Sequence, residues 1–515
     1  MKKIVNKLWI FLLFFITILG SSHAAKSQIQ PVGIFDASSD IGTCFIKGSS
    51  EYNPVNQEYT MVGSGQNMWY DKDAFHFLWK KMKGDFILQF EFSFIGEAKN
   101  AHRKVGWMVR NDTTESSPHI NGTVHNDGLT SIQYRPKKGA NTFELKSSAL
   151  APNIIQFERR GNRYILSTAI KGEDFISVEL IDSAKFMNDE ALVGMFICSH
   201  EKDYKETAIM RNVRMTIPAK AELVPYKDYI GSNLEILDLQ SGNRQIIFTA
   251  KNSIQAPNWT LDNQSLIYNS DGKLFNFNLE NGKPTEIDTK FAIKNNNDHV
   301  LSFDGKQIGI SDESQHAQKK AMIYIVPLNG GTPIQITEKA PSYLHGWSPD
   351  AKELIFTGER DGDYEIYAID IESKKETRLT NSPGLDDGSE YSPDGKFIYF
   401  NSVRSGKMQV WRMNPDGSNP ERITHDEYNN WFPHVSPDGK WIVYLAFGND
   451  VKPGDHPFYK HVSIRLMNLE TREMKILVHL YGGQGTINVP SWSPDSKKVA
   501  FVSNTELNDW FTRTY

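Results

Sequence analysis

The chain has 515 residues, of which 39% are hydrophobic and 23% are charged, and its formal net charge is −5. The length exceeds that of one ordinary domain, and the share of apolar residues excludes a disordered chain. The negative charge argues against a nucleic-acid partner, because proteins of that class present a basic face to the phosphates.

The first segment, residues 1–24, has the pattern of a signal peptide. Three lysines precede an apolar run over residues 8–19, which is shorter than the roughly 20 residues that span a bilayer. Small residues at positions 22 and 24 suit a signal peptidase, so cleavage is predicted after Ala24. The alternative is an uncleaved membrane anchor. No later segment is apolar enough to span a membrane, so we expect a periplasmic or secreted protein without a transmembrane segment in its mature part.

The two cysteines, Cys44 and Cys198, both lie in the first half of the chain. An oxidising compartment permits a disulfide between them, provided that the fold brings their Cα atoms close together. Two buried free thiols are the alternative, and the sequence leaves both open.

Residues 31–218 have the pattern of a β-sandwich. Apolar and polar residues alternate in segments such as Phe86–Phe92, as expected for an antiparallel strand with one buried face. Turn residues such as Asp127-Gly128 separate these segments, and helical periodicity is absent. Two packed sheets are therefore predicted.

This segment resembles the concanavalin A-like jelly roll of lectins and glucanases. The resemblance rests on Trp69-Tyr70, Phe75–Trp79, Gly84–Phe86 and Gly106–Arg110. The segment has no pair of glutamates at the strand spacing that a glucanase uses for its acid and its nucleophile. The resemblance therefore implies a binding or spacer domain rather than a hydrolase.

Three tryptophans, Trp69, Trp79 and Trp107, are the candidate glycan contacts of this domain. Their rings could stack on sugar rings. Large aromatic side chains also dominate the cores of such sandwiches, and this second role is the one that we favour.

Residues 230–515 contain six copies of a turn motif based on Ser-Pro-Asp-Gly, two of them degenerate. The repeated aspartates are Asp262, Asp304, Asp350, Asp394, Asp438 and Asp495. Their spacing of 42 to 57 residues is close to the roughly 40–50 residues of a four-stranded propeller blade. Strands near 234–249 can complete the blade that contains Asp495, which closes the ring. We therefore predict an all-β protein, a two-sheet jelly roll followed by a six-bladed β-propeller.

The repeat resembles the propeller of the TolB family, which serves the Tol–Pal system of the bacterial envelope. The resemblance covers residues 230–515 and implies a periplasmic recognition protein whose partner is an envelope protein or a glycan. TolB itself carries an α/β domain ahead of its propeller. This sequence shows no such domain, so a Tol–Pal role stays open. Propellers of this type also occur in oligogalacturonate lyases.

One mouth of the propeller channel is the candidate binding site. The loops that enter the innermost strands surround it, together with the loops that join the second and third strands. Polar side chains of several kinds converge there. We expect recognition of a partner protein or glycan, with Trp431 as a stacking surface. The candidate residues are His345, Arg360, Asp386, Asp387, Glu390, Arg404, Trp431, His434 and Asn488.

Two alternatives involve a metal ion, although no cofactor is predicted. In a lyase or hydrolase that acts on acidic glycans, His345 and His434 would bind the metal and an arginine would bind the uronate. In a structural role, the carboxylates at positions 386, 387 and 390 would hold a calcium ion between blades. The two histidines are offset by one residue relative to their repeats, so strict strand alternation points their rings to opposite sides. We therefore predict no shared metal, and a binding protein rather than an enzyme.

Overall fold

The computed structural model describes residues 30–182 and 186–507. The predicted signal peptide lies outside these residues. The described residues form 37 β-strands, which confirms the all-β class. They include no helix with the length and apolar character needed to cross a membrane.

Fourteen strands build the N-terminal domain. They are β1 (Ala37–Ile41), β2 (Ser49–Asn53), β3 (Glu58–Gly65), β4 (Phe75–Lys83), β5 (Phe86–Ile95), β6 (Lys104–Arg110), β7 (His119–His125), β8 (Thr130–Arg135), β9 (Phe143–Lys146), β10 (Ile154–Arg160), β11 (Arg163–Ala169), β12 (Ile176–Leu180), β13 (Glu190–Cys198) and β14 (Glu201–Thr216).

These strands make two antiparallel sheets of seven strands each, in the orders β1-β4-β13-β6-β7-β8-β9 and β12-β11-β10-β5-β14-β3-β2. The sheets share one hydrophobic core, in which Phe90 of β5 meets Trp107 of β6 with ring centroids 5.1 Å apart. Trp107 is fully buried, so its ring is closed to a sugar. Trp69 and Trp79 are partly buried. The concanavalin A-like connectivity stays a prediction.

The remaining strands build the propeller. They are β15 (Gly231–Asp238), β16 (Arg244–Ala250), β17 (Gln255–Trp259), β18 (Ser265–Ser270), β19 (Lys273–Asn278), β20 (Lys283–Ile287), β21 (Asn295–Leu301), β22 (Gln307–Asp312), β23 (Met322–Pro327), β24 (Ile334–Gln335), β25 (Ser342–Trp347), β26 (Glu353–Glu359), β27 (Tyr364–Asp370), β28 (Glu376–Arg378), β29 (Asp386–Tyr391), β30 (Ile398–Ser402), β31 (Gln409–Met413), β32 (Glu421–Arg422), β33 (Asn429–Val435), β34 (Trp441–Phe447), β35 (Lys460–Asn468), β36 (Met474–Gly482) and β37 (Lys498–Thr505).

Five four-stranded sheets follow one another in sequence order, β17–β20, β21–β24, β25–β28, β29–β32 and β33–β36, and are the first to fifth blades. The sixth sheet has the order β16-β15-β37. Trp492 pairs with Val499 of β37 through an isolated bridge, at the place of an innermost strand. Both ends of the propeller segment therefore contribute to one blade, which confirms the predicted closure and the six blades.

The Ser-Pro-Asp-Gly motif forms the turn between the two inner strands of a blade. In the fourth blade, Ser392 Oγ donates to Asp394 Oδ1 at 2.7 Å, and the amide of Lys396 donates to the same oxygen at 3.2 Å. Gly395 adopts a φ of 70°, a left-handed conformation that glycine reaches without steric cost. The repeated aspartates thus stabilise their own turns and serve the scaffold.

The two domains meet at the blade that closes the ring. Glu235 of β15 is fully buried, with Arg214 Nη2 of β14 at 2.7 Å and Arg244 Nη2 of β16 at 2.9 Å from its carboxylate. Burial alone would raise the pKa of Glu235, but the two guanidinium groups lower it to about 2. One shared carboxylate therefore links the last strand of the sandwich to the propeller.

Cys44 and Cys198 are free thiols, so the alternative without a disulfide is the one found. Burial raises the pKa of Cys44 to about 12 and also raises that of Cys198. Cys198 Sγ donates to the carbonyl of Gly65 at 3.3 Å. Both thiols therefore stay protonated near neutral pH, which makes them poor nucleophiles.

Candidate functional site

One mouth of the propeller channel opens into a cavity of about 720 Å³, which we call the mouth cavity. This volume is typical of a pocket for a small molecule or a short segment of a partner. Its wall combines the starts of innermost strands with the segment that joins the two domains. The charged and aromatic side chains that line it include Tyr226, Tyr229, Asp271, Lys294, Asp298, Glu313, Tyr343, His345, Tyr364, Asp387, Phe432, His456 and Phe458.

An ion pair between adjacent blades lies in this wall. His345 Nε2 of β25 is 2.8 Å from Asp387 Oδ1 of β29, and Thr357 Oγ1 donates to the same oxygen at 2.7 Å. Burial alone would raise the pKa of Asp387, but the charge of His345 lowers it to about 2. Burial would likewise lower the pKa of His345, but the charge of Asp387 raises it. The pair therefore favours its charged form.

A second carboxylate, Asp298 of β21, lies buried in the wall beside this pair. Burial raises the pKa of Asp298 to about 6, and the charge of Asp387 adds to the effect. Asn269 Nδ2 of β18 donates to the carbonyls of Asn295 and Asn296 at 3.0 and 2.8 Å, which fixes the start of the strand. A carboxyl group that titrates near pH 6 responds to any charge brought into the cavity.

Aromatic side chains form the outer part of the wall. Tyr226 and Tyr229 come from the interdomain segment and meet Phe458 edge-on, with centroids 5.4 and 5.6 Å away. Tyr226 is 61% exposed. Tyr343 and Tyr364 add a second pair with centroids 6.4 Å apart. Such rings offer a large contact area and lose little side-chain entropy on binding.

Three of the nine predicted residues, His345, Asp387 and Asn488, line the mouth cavity. Asn488 Oδ1 accepts from the amide of Gly485 at 2.7 Å, and Asn488 Nδ2 donates to Gln484 Oε1 at 3.0 Å. Asn488 therefore holds its own loop in place as well as facing the cavity.

The two predicted arginines do not line the cavity, which corrects their assignment. Arg360 Nη2 is 3.0 Å from Glu376 Oε1, and Arg404 Nη2 is 2.6 Å from Asp386 Oδ2. Both partners belong to the same blade as the arginine, and both guanidinium groups are mostly buried. Neither Arg360 nor Arg404 is available to bind a uronate, and Asp386 is likewise engaged within its blade.

Trp431 is not the exposed stacking surface that the sequence suggested. Its side chain is fully buried in the core of the fifth blade. His456 lies between Trp431 and the cavity, with the ring centroids 4.4 Å apart, and it is His456 that lines the cavity. The tryptophan packs against its own blade because a ring of this size gains more from burial than from exposure.

His434 and Glu390 also lie away from the mouth cavity. His434 Nδ1 is 2.6 Å from Glu390 Oε2, and its Nε2 contacts the carbonyl of Ile487. Glu390 lines a different pocket, formed around the Ser-Pro-Asp turns. The carboxylates at positions 386, 387 and 390 thus face three different basic side chains.

Four residues of the cavity wall, Asp298, Phe458 and the two tyrosines at the rim, were not predicted from the sequence. A signal for Asp298 was present, since the polar run Asn295–Asp298 enters the innermost strand of a degenerate repeat. Tyr226 and Tyr229 had none. They reach the mouth because the interdomain segment passes beside it, which no repeat pattern encodes.

Comparison with known proteins places the propeller among its relatives. A family model described as the TolB beta propeller domain matches residues 314–509. An uncharacterized protein of Agrobacterium fabrum, Atu1656, is 44% identical over 272 residues, which are 53% of this chain and 92% of the relative. The chain belongs to the TolB-like β-propeller family.

Two solved structures are similar to the propeller part of the chain. A TolB candidate from Agrobacterium tumefaciens is 42% identical with a TM-score of 0.52, and the match covers 54% of this chain and 100% of that one. TolB from Acinetobacter baumannii is 19% identical with a TM-score of 0.39, and the match covers 49% of this chain and 64% of that one.

Proposed function

We propose that the protein is an exported, non-catalytic recognition protein of the cell envelope, which binds a basic segment of a partner protein at the mouth cavity. The observation that carries this proposal is the composition of the cavity wall, in which carboxylates and aromatic rings lie together. Membership of the TolB-like family supports a recognition role, and its envelope setting supports the periplasm as the location.

The charge of the wall favours a cationic ligand. The carboxylates of Asp271, Asp298, Glu313 and Asp387 outnumber the cationic side chains of Lys294 and His345. His456 adds no charge near neutral pH, because burial lowers its pKa. A lysine, an arginine or an amino terminus of the partner would therefore be attracted, and the attraction is strengthened by the low dielectric of a concave wall.

The aromatic rings favour the same ligand. Tyr226 and Tyr229 are exposed at the entry, and an aromatic ring attracts a cation placed over its face by about 0.5–2 kcal/mol. The same rings pack against the aliphatic stems of long basic side chains. A protruding polypeptide segment with a lysine or arginine near its tip fits this combination.

An acidic oligosaccharide fits less well, so the lyase interpretation takes second place. The carboxylate-rich wall repels uronates, and Arg360 and Arg404 are held in ion pairs inside their blades. The N-terminal domain, for which we propose the concanavalin A-like jelly roll, would act as a spacer or a second binding module.

A positional peptide library tests the proposal. Immobilised protein is probed with peptides that differ at one position in lysine, arginine, norleucine or glutamate. A panel of acidic and neutral oligosaccharides is probed in parallel. We expect retention of the lysine and arginine peptides, with an affinity that falls as salt rises. Selective retention of an acidic oligosaccharide, or its depolymerisation, would contradict the proposal and favour the lyase.

Substitutions in the wall locate the binding. Asp298→Asn and Asp387→Asn should each weaken binding of the selected basic peptide by about tenfold or more, equivalent to about 1.4 kcal/mol. The matched control is Glu280→Gln, which removes one carboxylate from an exposed turn outside the cavity. If all three variants bind equally well, the peptide contacts another surface.

A further inference from the structure

A cluster of imidazole and carboxylate groups lies in the N-terminal domain, outside the mouth cavity. His102 precedes β6, His125 ends β7, and Asp127 lies in the turn before β8. One ligand atom from each residue lies within 4.8 Å of the other two. Within residues 30–182 and 186–507, no other three histidine, cysteine or acidic side chains come as close together.

The distances in this cluster suit a common metal ion. His102 Nδ1 is 3.5 Å from His125 Nδ1 and 3.1 Å from Asp127 Oδ2. Ligands bound to one tetrahedral zinc at about 2.0–2.1 Å are about 3.3–3.4 Å from each other. Two of the three separations are therefore close to those of a coordination sphere, and the third is within 4.8 Å.

The side chain of His125 is almost fully buried, so its ring is held in a fixed position. The ammonium of Lys104 is directed to Asn67 Oδ1 at 3.0 Å rather than into the cluster.

The loops that carry the ligands are held rigidly. The amide of Asp127 donates to the carbonyl of Ala101 at 3.0 Å, and the amide of Asn126 donates to that of Arg103 at 2.9 Å. Arg103 Nη1 is in turn 2.6 Å from Glu206 Oε2 of β14 in a buried ion pair. The segment with His102 and the turn with Asp127 therefore keep their relative positions before any ion binds.

We propose that His102, His125 and Asp127 bind a divalent transition metal of the zinc class in a tetrahedral site. Imidazole nitrogens with one carboxylate select such ions over calcium and magnesium, which prefer sets of oxygen ligands. The metal would join the segment before β6 to the β7–β8 turn. This site is independent of the mouth cavity and of the function proposed for it.

The experiment uses the full chain without a polyhistidine tag. The protein is treated with EDTA, dialysed, and titrated with Zn²⁺ against a chromophoric chelator, and its metal content is measured after a second dialysis. We expect one tightly bound zinc per chain, and a visible absorption of the Co²⁺ form that is typical of tetrahedral coordination. Absence of bound zinc, or an octahedral Co²⁺ spectrum, would overturn the proposal.

Single substitutions assign the ligands. His102→Ala and Asp127→Asn change residues that are partly exposed, so the fold should persist. Each should weaken zinc binding by more than the roughly 10- to 100-fold that loss of an outer-shell contact costs. His425→Ala, which removes an exposed histidine of the propeller, is the matched control and should bind as tightly as the natural protein. Unchanged affinity in His102→Ala would refute the assignment.

Discussion

Replacing Trp431 with alanine tests whether this side chain belongs to the propeller core or to the binding surface at the mouth. The Trp431 side chain is fully buried, lies among the apolar residues of the fifth blade, and contacts the ring of His456. Its Nε1 makes no hydrogen bond to a described residue. The contribution of this side chain to stability is therefore burial and packing alone.

The expected loss follows from that burial. A tryptophan replaced by alanine in a packed core costs about 3–5 kcal/mol of unfolding free energy, since apolar area is lost and a cavity remains. An exposed residue would cost no more than about 0.5 kcal/mol. Urea unfolding followed by fluorescence and circular dichroism separates these outcomes, because the midpoint falls while its slope stays constant.

Two matched variants complete this test. Trp107→Ala removes a buried tryptophan from the N-terminal core and should lower stability by a similar amount. Tyr226→Ala removes an exposed ring from the mouth and should leave stability nearly unchanged while it weakens binding of the selected peptide. If Trp431→Ala unfolds at the same urea concentration as the natural protein but loses binding, the placement of Trp431 in the core is refuted.

Two further predictions concern buried carboxylates. Glu235→Gln should lower the unfolding free energy by about 3–5 kcal/mol, since it leaves two buried guanidinium groups without a counter-charge. In the natural protein the pKa of Glu235 is lowered to about 2 from an ordinary 4.5, so its contribution, on the order of 3 kcal/mol, is present above pH 4.5 and lost as the pH falls towards 2. Urea unfolding at a series of pH values should show a larger loss of stability in the natural protein than in the variant. At the mouth, the pKa of Asp298 is raised to about 6, so calorimetry should show peptide affinity falling below pH 6 in the natural protein and a smaller change in Asp298→Asn.

The propeller could be predicted from the sequence because its repeat is a local signal. The turn around Asp394 is stabilised by contacts within five residues, so the same letters recur wherever the same turn is built. The closing blade could be predicted as well. The last repeat lacks its outer strands, and two strands that precede the first repeat supply them. The position of the N-terminal domain relative to the propeller could not be predicted from the sequence. It depends on contacts between residues of different domains, such as those of the Glu235 carboxylate with Arg214 and Arg244.

The mouth was harder to predict because the innermost strands do not keep strict alternation. In the fourth blade the pairing register shifts between Asp387 and Glu390, and in the fifth it shifts between Trp431 and His434. Gly388 and Phe432 occupy these bulges with φ values of 61° and 53°.

A bulge of this kind reverses which side chains face a given side of the strand. Asp387, before the bulge, lines the mouth cavity, and Glu390, after it, lines a pocket among the Ser-Pro-Asp turns. His434 follows a bulge as well and pairs with Glu390 instead of facing the channel with His345. The strand of His345 has the same kind of shift, between Leu344 and Gly346. His345 therefore lies within a bulge and His434 follows one, and strict alternation could not predict the direction of either ring. Site residues at the start of propeller strands can therefore be assigned from sequence only after the bulge in each blade has been located.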